Sequence, residues 1–340
     1  MVQIRKIREK KEQALSQVDV FFYEAFDEER ALIEKYLPSS IKAGFARETI
    51  QETGHQTPPA SVISTRTQSH IPEQWASQLT AILSRSTGYN HMQDYRESTG
   101  FSGQMGYLPL YCNRAVAEQA MLLWMSLLRK LLLQMERFNS FSRSGLTGYE
   151  CSGKNLLVVG VGNIGHEVVR IGKGLDMNVY GVDLVKKFDD TNYVELEEGI
   201  AQAHIVVSAM NLTKKNRGYF NYQLLKKAPA GVIFVNVARG ELSPIDDLYR
   251  LVKEGHLGGL ALDVYEQESK IAIFLRSGAA KVGDPLLQKI KELQQLPNVI
   301  FTPHNAFNSH EAVLRKAEHS VKQIEHFLQS GRFLWPVPEE

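Results

Sequence analysis

The chain has 340 residues, long enough for two domains that each bury a hydrophobic core. Its 39 basic residues nearly balance 38 acidic ones, and the net charge of +1 gives no reason to expect nucleic acid or an acidic membrane surface as a partner. The two cysteines, Cys112 and Cys151, make neither a disulfide framework nor a metal-ligand spacing, which is typical of a reducing compartment.

The sequence pattern contains no segment that resembles a signal peptide or a membrane span. Residues 1–18 are charged and polar, without the apolar centre of a signal peptide. The most apolar helical stretch covers residues 115–135, where Glu118, Arg129 and Lys130 interrupt it. We therefore expect a cytoplasmic protein with no membrane partner.

The first third of the chain predicts alternating strands and helices. Asp27–Tyr36 has its apolar residues near one face, which predicts a helix. Residues 103–109 are expected to form a loop. Helices between strands indicate a parallel sheet that is covered on both sides. The predicted strands cover residues 18–23, 41–46, 60–64 and 79–85.

A long helix is predicted over residues 114–138. Apolar residues recur along one side at three- and four-residue steps: Val116, Ala120, Leu123, Leu127, Leu131 and Met135. A second side is also apolar, with Met121, Trp124, Met125, Leu128 and Leu132. A helix that is apolar on two faces should be buried on both, either between domains or between subunits.

The alternation of strands and helices restarts near residue 156 and predicts a doubly wound sheet. One helix begins near Pro244, because proline is favoured in a first helical turn. The last helix is expected to begin at Asn308, which has capping-box spacing to Glu311, and to end near Gln329. The predicted strands cover residues 156–160, 178–183, 204–209, 232–237, 259–264 and 299–302.

A glycine-rich turn follows the first strand of this second sheet. Its sequence has the spacing G-x-G-x-x-G: Gly160, Val161, Gly162, Asn163, Ile164 and Gly165. Gly160 permits a sharp turn, Gly162 lets the backbone approach a pyrophosphate, and Gly165 lets helix and strand pack closely. The N-terminus of the following helix offers N–H groups and a positive dipole to phosphates. The segment is therefore predicted to bind a dinucleotide.

Asp183 ends the second strand of the same sheet, about twenty residues beyond the glycine turn. Its carboxylate would accept hydrogen bonds from the adenosine ribose and repel the extra phosphate of NADP. Lys186 and Lys187 lie nearby and weaken this preference slightly. We therefore predict NAD as the cofactor.

Charged residues follow three later strands of the sheet. Arg239 and His304 each come just after a predicted strand, and Asp263 ends another. Glu266 and Glu268 lie just beyond Asp263. In open α/β sheets ligands bind beyond the carboxyl ends of the strands, where the nicotinamide should also lie.

This set of residues suits the interconversion of a 2-oxo acid and a 2-hydroxy acid. The arginine fork would bind a carboxylate and polarise the adjacent carbonyl. The histidine would supply the proton when hydride arrives and remove it in the reverse direction. A carboxylate beside the histidine would favour the imidazolium and raise its pKa. The residues alone leave open which acid pairs with His304.

The chain resembles the D-isomer-specific 2-hydroxyacid dehydrogenases, and is most similar to the D-lactate dehydrogenase branch. The resemblance covers nearly the whole chain and lies in motifs that occur in the order of the family. Beyond the glycine turn, these motifs are RSTGYN from Arg85, AVAE from Ala115, VNVARG from Val235, LDVYEQE from Leu262 and TPH from Thr302.

The resemblance implies roles for individual residues around the coenzyme and the reacting centre. It implies that Glu268 is the acid that pairs with His304 and raises its pKa, with Arg239 completing the catalytic set. Ala238 and Asp263 would contact the coenzyme, with Asp263 near the nicotinamide amide.

The resemblance also implies a set of substrate contacts. Backbone N–H groups near Thr87 and Gly88 would hold the substrate carboxylate. Tyr111 matches a substrate-side tyrosine, and Phe307 matches an aromatic residue near the pocket. No metal is expected.

The implied fold is α/β, with two doubly wound parallel-sheet domains. A Rossmann coenzyme domain at residues 113–307 is inserted into a flavodoxin-like substrate domain at residues 1–112 and 308–340. The long helix would pack in a homodimer, and a cleft between the domains would close on substrate. Residues 269–285, a loop longer than in many relatives, are a departure from the family pattern.

Two alternatives to a lactate-like enzyme remain open at this point. One is a relative that acts on glyoxylate, hydroxypyruvate or phosphoglycerate with the same chemistry. The other is a binding protein that senses NAD(H), as in the corepressors that share this fold. The sequence does not name the substrate.

Overall fold

The computed structural model describes residues 18–277 and 284–339, and this part of the chain divides into two compact units. One unit contains the described residues up to Cys112 and those from Ser309 onward. The other unit contains Asn113–Asn308. The assignment of substrate to the first unit and of NAD to the second stays a prediction at this point.

The first unit is built on a five-stranded parallel sheet. The strand order is β2-β1-β3-β4-β5, the order of flavodoxin-like sheets. All positions of β3 and β4 are buried, as expected for a parallel sheet with both faces covered. The strands are β1 (Val20–Phe22), β2 (Ala43–Phe45), β3 (Val62–Thr65), β4 (Ala81–Ser84) and β5 (Gln104–Gly106). The helices are α1 (Asp27–Tyr36), α2 (Ile50–Thr53), α3 (Asn90–Thr99) and a C-terminal helix from His310.

The four strands predicted for this unit and the helix Asp27–Tyr36 are confirmed, with strand ends shifted by one or two residues. The expectation of a loop over residues 103–109 is wrong, because β5 lies within it. This strand is completed by the end of the chain: Val337 N–H donates to Met105 O over 2.8 Å, and Tyr107 N–H donates to Trp335 O over 3.1 Å. The local sequence does not show this pairing, since the partner lies more than 200 residues away.

The second unit contains a six-stranded parallel sheet with the order β11-β10-β9-β8-β6-β7. A single parallel bridge from Gly181 to Tyr193 lies beyond β7. With Tyr193 in the place of a third strand, the order becomes that of the dinucleotide-binding fold, extended by one strand. The six predicted strands are confirmed. They are β6 (Asn155–Val159), β7 (Asn178–Val182), β8 (Ile205–Ser208), β9 (Val232–Asn236), β10 (Leu257–Leu262) and β11 (Val299–Phe301).

The predicted long helix is in fact two helices, α4 (Asn113–Leu128) and α5 (Leu131–Phe138). Lys130 has a left-handed backbone with φ of 52° and separates them. The carbonyl of Leu128 accepts a hydrogen bond from Tyr149 N–H over 2.9 Å, instead of continuing the helix. No residue of α5 is buried within this chain, so its expected burial between subunits stays a prediction.

The remaining helices of this unit connect successive strands. Residues 269–277 of the expected loop are helical instead, because they belong to α10; residues 278–283 lie outside the described chain. Asp284 caps α11 by accepting hydrogen bonds from Leu286 and Leu287 N–H. The helices are α6 (Asn163–Gly174), α7 (Leu196–Ala201), α8 (Tyr222–Leu225), α9 (Ile245–Lys253), α10 (Glu268–Ser277) and α11 (Pro285–Gln294).

The last helix, α12, spans His310–Ser330 and returns the chain to the first unit. Its N-cap is Ser309, whose hydroxyl accepts a hydrogen bond from Ala312 N–H over 3.2 Å. The predicted cap, Asn308, is therefore wrong by one residue. Asn308 instead donates its side-chain N–H to the side-chain oxygen of Asn305.

A buried ion network joins α12 to the core of the first unit. Glu29 on α1 accepts a hydrogen bond from Arg85 Nε over 2.9 Å, and Lys316 Nζ lies 3.0 Å from the same oxygen. All three side chains are buried. Arg85 also donates to Ser64 Oγ and to the carbonyl of Tyr23, so its guanidinium is well satisfied.

The network changes the ionisation of two of its members. Burial alone would raise the pKa of Glu29, but Arg85 and Lys316 lower it to about 2. Burial lowers the pKa of Lys316 to about 7, and Glu29 offsets only part of this effect. The network therefore places two basic groups against a single carboxylate, and Lys316 loses its charge as the pH rises through about 7.

The network predicts unequal costs for removing its members. Glu29→Gln leaves Arg85 and Lys316 buried without a carboxylate, so we expect a loss of about 3 to 5 kcal/mol in the free energy of unfolding. Lys316→Met leaves the pair of Glu29 and Arg85 intact and should cost less.

The free energy of unfolding should also depend on pH, because the pKa of Lys316 differs between the folded and the unfolded chain. A lysine in the unfolded chain has a pKa of about 10.4, so the unfolded state binds more protons above about pH 7.

The free energy of unfolding of the wild type should therefore rise with pH from about 7 to about 10. Urea unfolding at a series of pH values measures this rise, which Lys316→Met should remove. Lys322→Met changes an exposed lysine on the same helix and serves as the control. Parallel pH profiles for the wild type and Lys316→Met would contradict the assignment.

Candidate functional site

The glycine turn connects β6 to α6 with very close backbone contacts. Gly160 has φ of 93°, and a Cβ at this position would lie 2.4 Å from the backbone of Met210. A Cβ on Gly165 would lie 1.9 Å from Gly160 O. No protein atom lies within 4 Å of the Cβ position of Gly162, so the backbone can be approached there. Two glycines are thus required by packing, and the third suits a bound pyrophosphate.

The first residues of α6, Asn163 and Ile164, follow Gly162, which is the N-cap. The first bond of the helix runs from His166 N–H to Gly162 O. The N–H groups of a first helical turn have no acceptor within the helix and therefore suit an anion. The chemistry of this turn fits the diphosphate of NAD.

Asp183 lies directly beside the glycine turn. Its Oδ2 accepts a hydrogen bond from Val161 N–H over 2.6 Å, and its Oδ1 accepts one from Val185 N–H over 3.1 Å. Lys187 Nζ lies 3.4 Å from the side-chain oxygen of Asn163, so a cation also lies near the turn. The Asp183 carboxylate therefore lies next to the turn that is predicted to bind the phosphates, as its predicted contact with the adenosine ribose requires.

Arg239 follows β9 in a turn that Asn236 orders. The side-chain oxygen of Asn236 accepts a hydrogen bond from Ala238 N–H, and its side-chain N–H donates to Arg239 O. The half-buried Arg239 donates from Nη1 to Ala238 O over 2.7 Å. Asn236 was missed as a functional residue, although a buried asparagine at a strand end is a signal that the sequence contains.

His304 and Glu268 form a hydrogen-bonded dyad. Nδ1 of His304 lies 2.8 and 3.0 Å from the two carboxylate oxygens of Glu268. Both side chains are about one-third exposed, so solvent or substrate can reach them. With a carboxylate at Nδ1, that nitrogen carries the proton, and Nε2 is left for a reacting group. Of the acids near β10, Glu268 is thus the one that contacts His304.

Asp263 anchors the turn that carries His304. Its Oδ1 accepts hydrogen bonds from the Thr302 hydroxyl and from Asn305 N–H, and its Oδ2 accepts one from Ala306 N–H over 2.9 Å. Burial raises the pKa of Asp263, and these hydrogen bonds offset part of the rise. The predicted contact of Asp263 with the nicotinamide amide stays a prediction.

The backbone is strained at His304 and just before Glu268. His304 has a left-handed backbone with φ of 50°, and Gln267, just before Glu268, has φ of 53°. Such conformations persist only where surrounding contacts enforce them. Tyr265 adds a contact, since its hydroxyl lies 2.8 Å from Thr302 O. Sequence reasoning assigned no role to Tyr265 or Thr302, because they act on His304 indirectly: the Tyr265 hydroxyl bonds to Thr302 O, and the Thr302 hydroxyl bonds to Asp263.

The residues of the first unit that are predicted to contact the substrate follow the carboxyl ends of its strands. Thr87 and Gly88 follow β4, and the Thr87 hydroxyl lies 3.2 Å from Cys112 Sγ. Tyr111 is buried next to Cys112, and burial raises its pKa well above the usual value. Arg66 follows β3, and its positive charge lowers the pKa of Tyr111 and so offsets part of the rise. Arg66 was missed, because a single arginine after a strand carries no motif.

Phe307, the other predicted substrate residue, belongs to the second unit. It is half-buried and lies three residues beyond His304. Among the described residues, no three His, Cys, Asp or Glu side chains come together as a group that could hold a metal. Within the same residues, no helix has the length and apolar character that a membrane span requires.

Comparison with known proteins agrees with this geometry. The sequence model of the D-isomer-specific 2-hydroxyacid dehydrogenase, NAD-binding domain, matches residues 121–306. A 2-hydroxyacid dehydrogenase homolog of Haemophilus influenzae is 31% identical, over 73% of this chain and 75% of the relative. The D-lactate dehydrogenase of Escherichia coli is 28% identical, over 74% of this chain and 76% of the relative.

The whole fold also has a solved counterpart. The crystal structure of D-lactate dehydrogenase from Aquifex aeolicus, complexed with NAD and lactic acid, superimposes with a TM-score of 0.82 at 26% identity. The match covers 94% of this chain and all of that one. The predicted fold class and the NAD cofactor are confirmed, and these relatives favour an enzyme over an NAD(H) sensor. The chain belongs to the D-isomer-specific 2-hydroxyacid dehydrogenase family and is an NAD-dependent oxidoreductase.

Proposed function

We propose that this enzyme interconverts a small, unphosphorylated 2-oxo acid and its (R)-2-hydroxy acid. The observation that carries the proposal is the dyad of His304 and Glu268 in a turn beyond the carboxyl edge of the coenzyme sheet. NADH supplies the hydride to the carbonyl carbon. His304 donates the proton from Nε2 to the carbonyl oxygen, which completes the alcohol.

Glu268 and Arg239 support this proton transfer in different ways. Glu268 accepts a hydrogen bond from Nδ1 and so orients the imidazole with Nε2 towards the substrate. Arg239 binds the substrate carboxylate and polarises its carbonyl with a planar fork of donors. Asp263 and Tyr265 keep His304 in place through Thr302 and its neighbours.

The coenzyme contacts follow from the turn beyond β6. Gly162 lets the pyrophosphate approach the backbone, and the N–H groups of Asn163 and Ile164 bind it, while Gly160 and Gly165 permit the tight turn. Asp183 accepts hydrogen bonds from the ribose, and Ala238 and Asp263 contact the nicotinamide half. The close contacts at Gly160 and Gly165 support this assignment.

The remaining substrate contacts come from Thr87, Gly88 and Tyr111 of the first unit and from Phe307 of the second. Backbone N–H groups at Thr87 and Gly88 bind the substrate carboxylate. Tyr111 comes directly before Cys112, whose Sγ lies 3.2 Å from the Thr87 hydroxyl, so it lies close to this segment. Phe307 supplies an apolar wall. The resemblance to the D-lactate dehydrogenase branch supports a substrate of modest size.

We also propose that the enzyme is a cytoplasmic homodimer that joins through α4 and α5. Met135 and Phe138 on α5 are 65% and 73% exposed, and Leu122 on α4 is 52% exposed. Several large exposed apolar side chains on two consecutive helices suit a protein interface. The cysteines are buried thiols, in keeping with a reducing compartment.

The first test is NADH consumption with pyruvate, phenylpyruvate, oxaloacetate, glyoxylate and hydroxypyruvate. We expect turnover of at least one small 2-oxo acid, with an (R)-2-hydroxy acid as product. His304→Ala should lower kcat by about 10²- to 10⁴-fold, because the proton donor is lost. Its affinity for NADH, measured by fluorescence titration, should be retained. Loss of NADH binding in this variant would contradict the role of His304.

The second test concerns the hydrogen bond between Glu268 and His304. Glu268→Gln keeps the side-chain length but replaces the carboxylate at His304 Nδ1 with an amide that can also donate, so the imidazole is no longer held in one tautomer. We expect kcat for reduction to fall by up to about 10⁴-fold. Glu266→Gln is the control, because Glu266 accepts a hydrogen bond from Ile245 N–H and not from His304. Equal kcat values for all three proteins would exclude this role of Glu268.

The third test concerns the choice of coenzyme. Asp183→Ala removes the charge that repels the extra phosphate, so the preference for NADH over NADPH should fall by about tenfold, or about 1.4 kcal/mol. Asp183→Asn keeps an acceptor for Val161 N–H and should show the same relaxation. If only the alanine variant changes, Asp183 acts on the turn and not on the ribose.

A further inference from the structure

A cavity of about 460 Å³ lies at the edge of the coenzyme sheet opposite to the proposed active site. Its lining includes Lys154 before β6, His204 before β8, the first residues of β9, and Asn298 before β11. The predicted catalytic and coenzyme residues follow the carboxyl ends of these strands instead. We name this space the amino-edge cavity.

The helix break shapes the apolar wall of the amino-edge cavity. Leu127 and Leu128 line it from the end of α4, and Leu133 lines it from α5. At 100° per residue, Leu133 points away from the face of Leu131 and Met135, which are exposed. The cavity is therefore distinct from the apolar surface proposed for the dimer.

Glycines make room at the floor of the cavity. Gly231 has φ of 91°, and no atom lies within 4 Å of its Cβ position. Gly258 packs its backbone against Gly231, where a Cβ would lie 2.4 Å from Gly231 O. Neither residue places a side chain in the cavity. Its volume falls in the range of about 300 to 1,000 Å³ that small-molecule sites have.

Among the described residues, the charged side chains that line the cavity are basic. Lys130 and Lys154 carry ammonium groups, and no aspartate or glutamate of the described chain is among the lining residues. Lys154 Nζ lies 5.4 Å from the ring centre of Tyr149, which also lines the cavity, and Lys130 Nζ donates to Gly145 O. The first contact keeps the ammonium group of Lys154 beside a lining residue, and the second restricts the side chain of Lys130.

His204 adds a neutral hydrogen-bond donor. Its Nδ1 accepts a hydrogen bond from Asn155 N–H over 3.0 Å, so the ring proton is on Nε2. Burial lowers the pKa of His204, and Lys154 lowers it further. An anion at this place would meet two cations and one N–H donor, beside a wall of leucines.

We propose that the amino-edge cavity binds an amphipathic carboxylate. Its acyl or aryl body packs against Leu127, Leu128 and Leu133, and its carboxylate pairs with Lys130 and Lys154. An uncharged molecule with the same body loses both ion pairs, so the site discriminates by charge as well as by shape. The proposal does not depend on the identity of the 2-oxo acid substrate.

Calorimetric titration of the full chain with 4-phenylbutanoate and with its amide tests the proposal. We expect the carboxylate to bind with one site per chain and the amide to bind at least about tenfold more weakly. A saturating amount of NADH and of the preferred 2-hydroxy acid should leave carboxylate binding unchanged, because the two sites lie at opposite edges of the sheet.

Variants of the lining residues test whether the probes bind in the amino-edge cavity. The double variant Lys130→Gln/Lys154→Gln should weaken binding of the carboxylate probe to the level of the amide probe. It should leave kcat unchanged. Ala230→Trp places a large ring at an exposed lining position and should weaken both probes. Lys253→Gln, on the outside of α9, is the matched control and should bind as the wild type does.

Three outcomes would overturn the proposal. The first is no binding of either probe, which includes the case that a second copy of the chain fills the cavity. The second is equal binding of carboxylate and amide. The third is carboxylate binding that survives in the double lysine variant but is lost with Arg239→Gln, which would assign it to the proposed active site.

Discussion

Parallel strands place all of their carboxyl ends at one edge of a sheet, and the arrangement of this enzyme depends on that constraint. In the coenzyme unit, the glycine turn and Asp183 follow two neighbouring strands, β6 and β7. Arg239, Asp263 and His304 follow β9, β10 and β11, which also pair as neighbours. Residues more than 140 positions apart thus extend from the same edge, because the crossover helices return the chain to the opposite edge each time.

Asp263 fixes the turn that follows β11, and thereby the orientation of the His304 side chain. Its carboxylate is held at the end of a buried strand and binds the turn that contains His304 through three donors. The left-handed backbone of His304 is costly on its own, so the turn needs such an anchor. Glu268 then fixes the ring from the start of α10. Two carboxylates thus act on one histidine, one through the backbone and one through the ring.

The first unit depends on a different anchor, the buried network of Glu29, Arg85 and Lys316. Arg85 belongs to a motif that suggested substrate binding, yet its side chain is buried and bonded to Glu29 and to the backbone of Tyr23. It holds the end of β4, from which Thr87 and Gly88 follow. Lys316 ties α12 to the same carboxylate, so the end of the chain is joined to its beginning. The unit is continuous in space although the chain leaves it for almost 200 residues.

The sequence by itself determined the two parallel sheets, all of their strands except β5, and the residues beyond each predicted strand, because periodicity and glycine spacing are local properties. It also indicated that Glu268 is the partner of His304, through the spacing in a family motif. Tertiary structure alone decided the break at Lys130, the strand β5, the cap at Ser309 and the anchoring role of Asp263. Each of these depends on a contact or backbone conformation that the local pattern does not encode, as when the carbonyl of Leu128 bonds to Tyr149 N–H. A local pattern shows what a segment tends to form, whereas the partners of its polar groups exist only once the chain has folded.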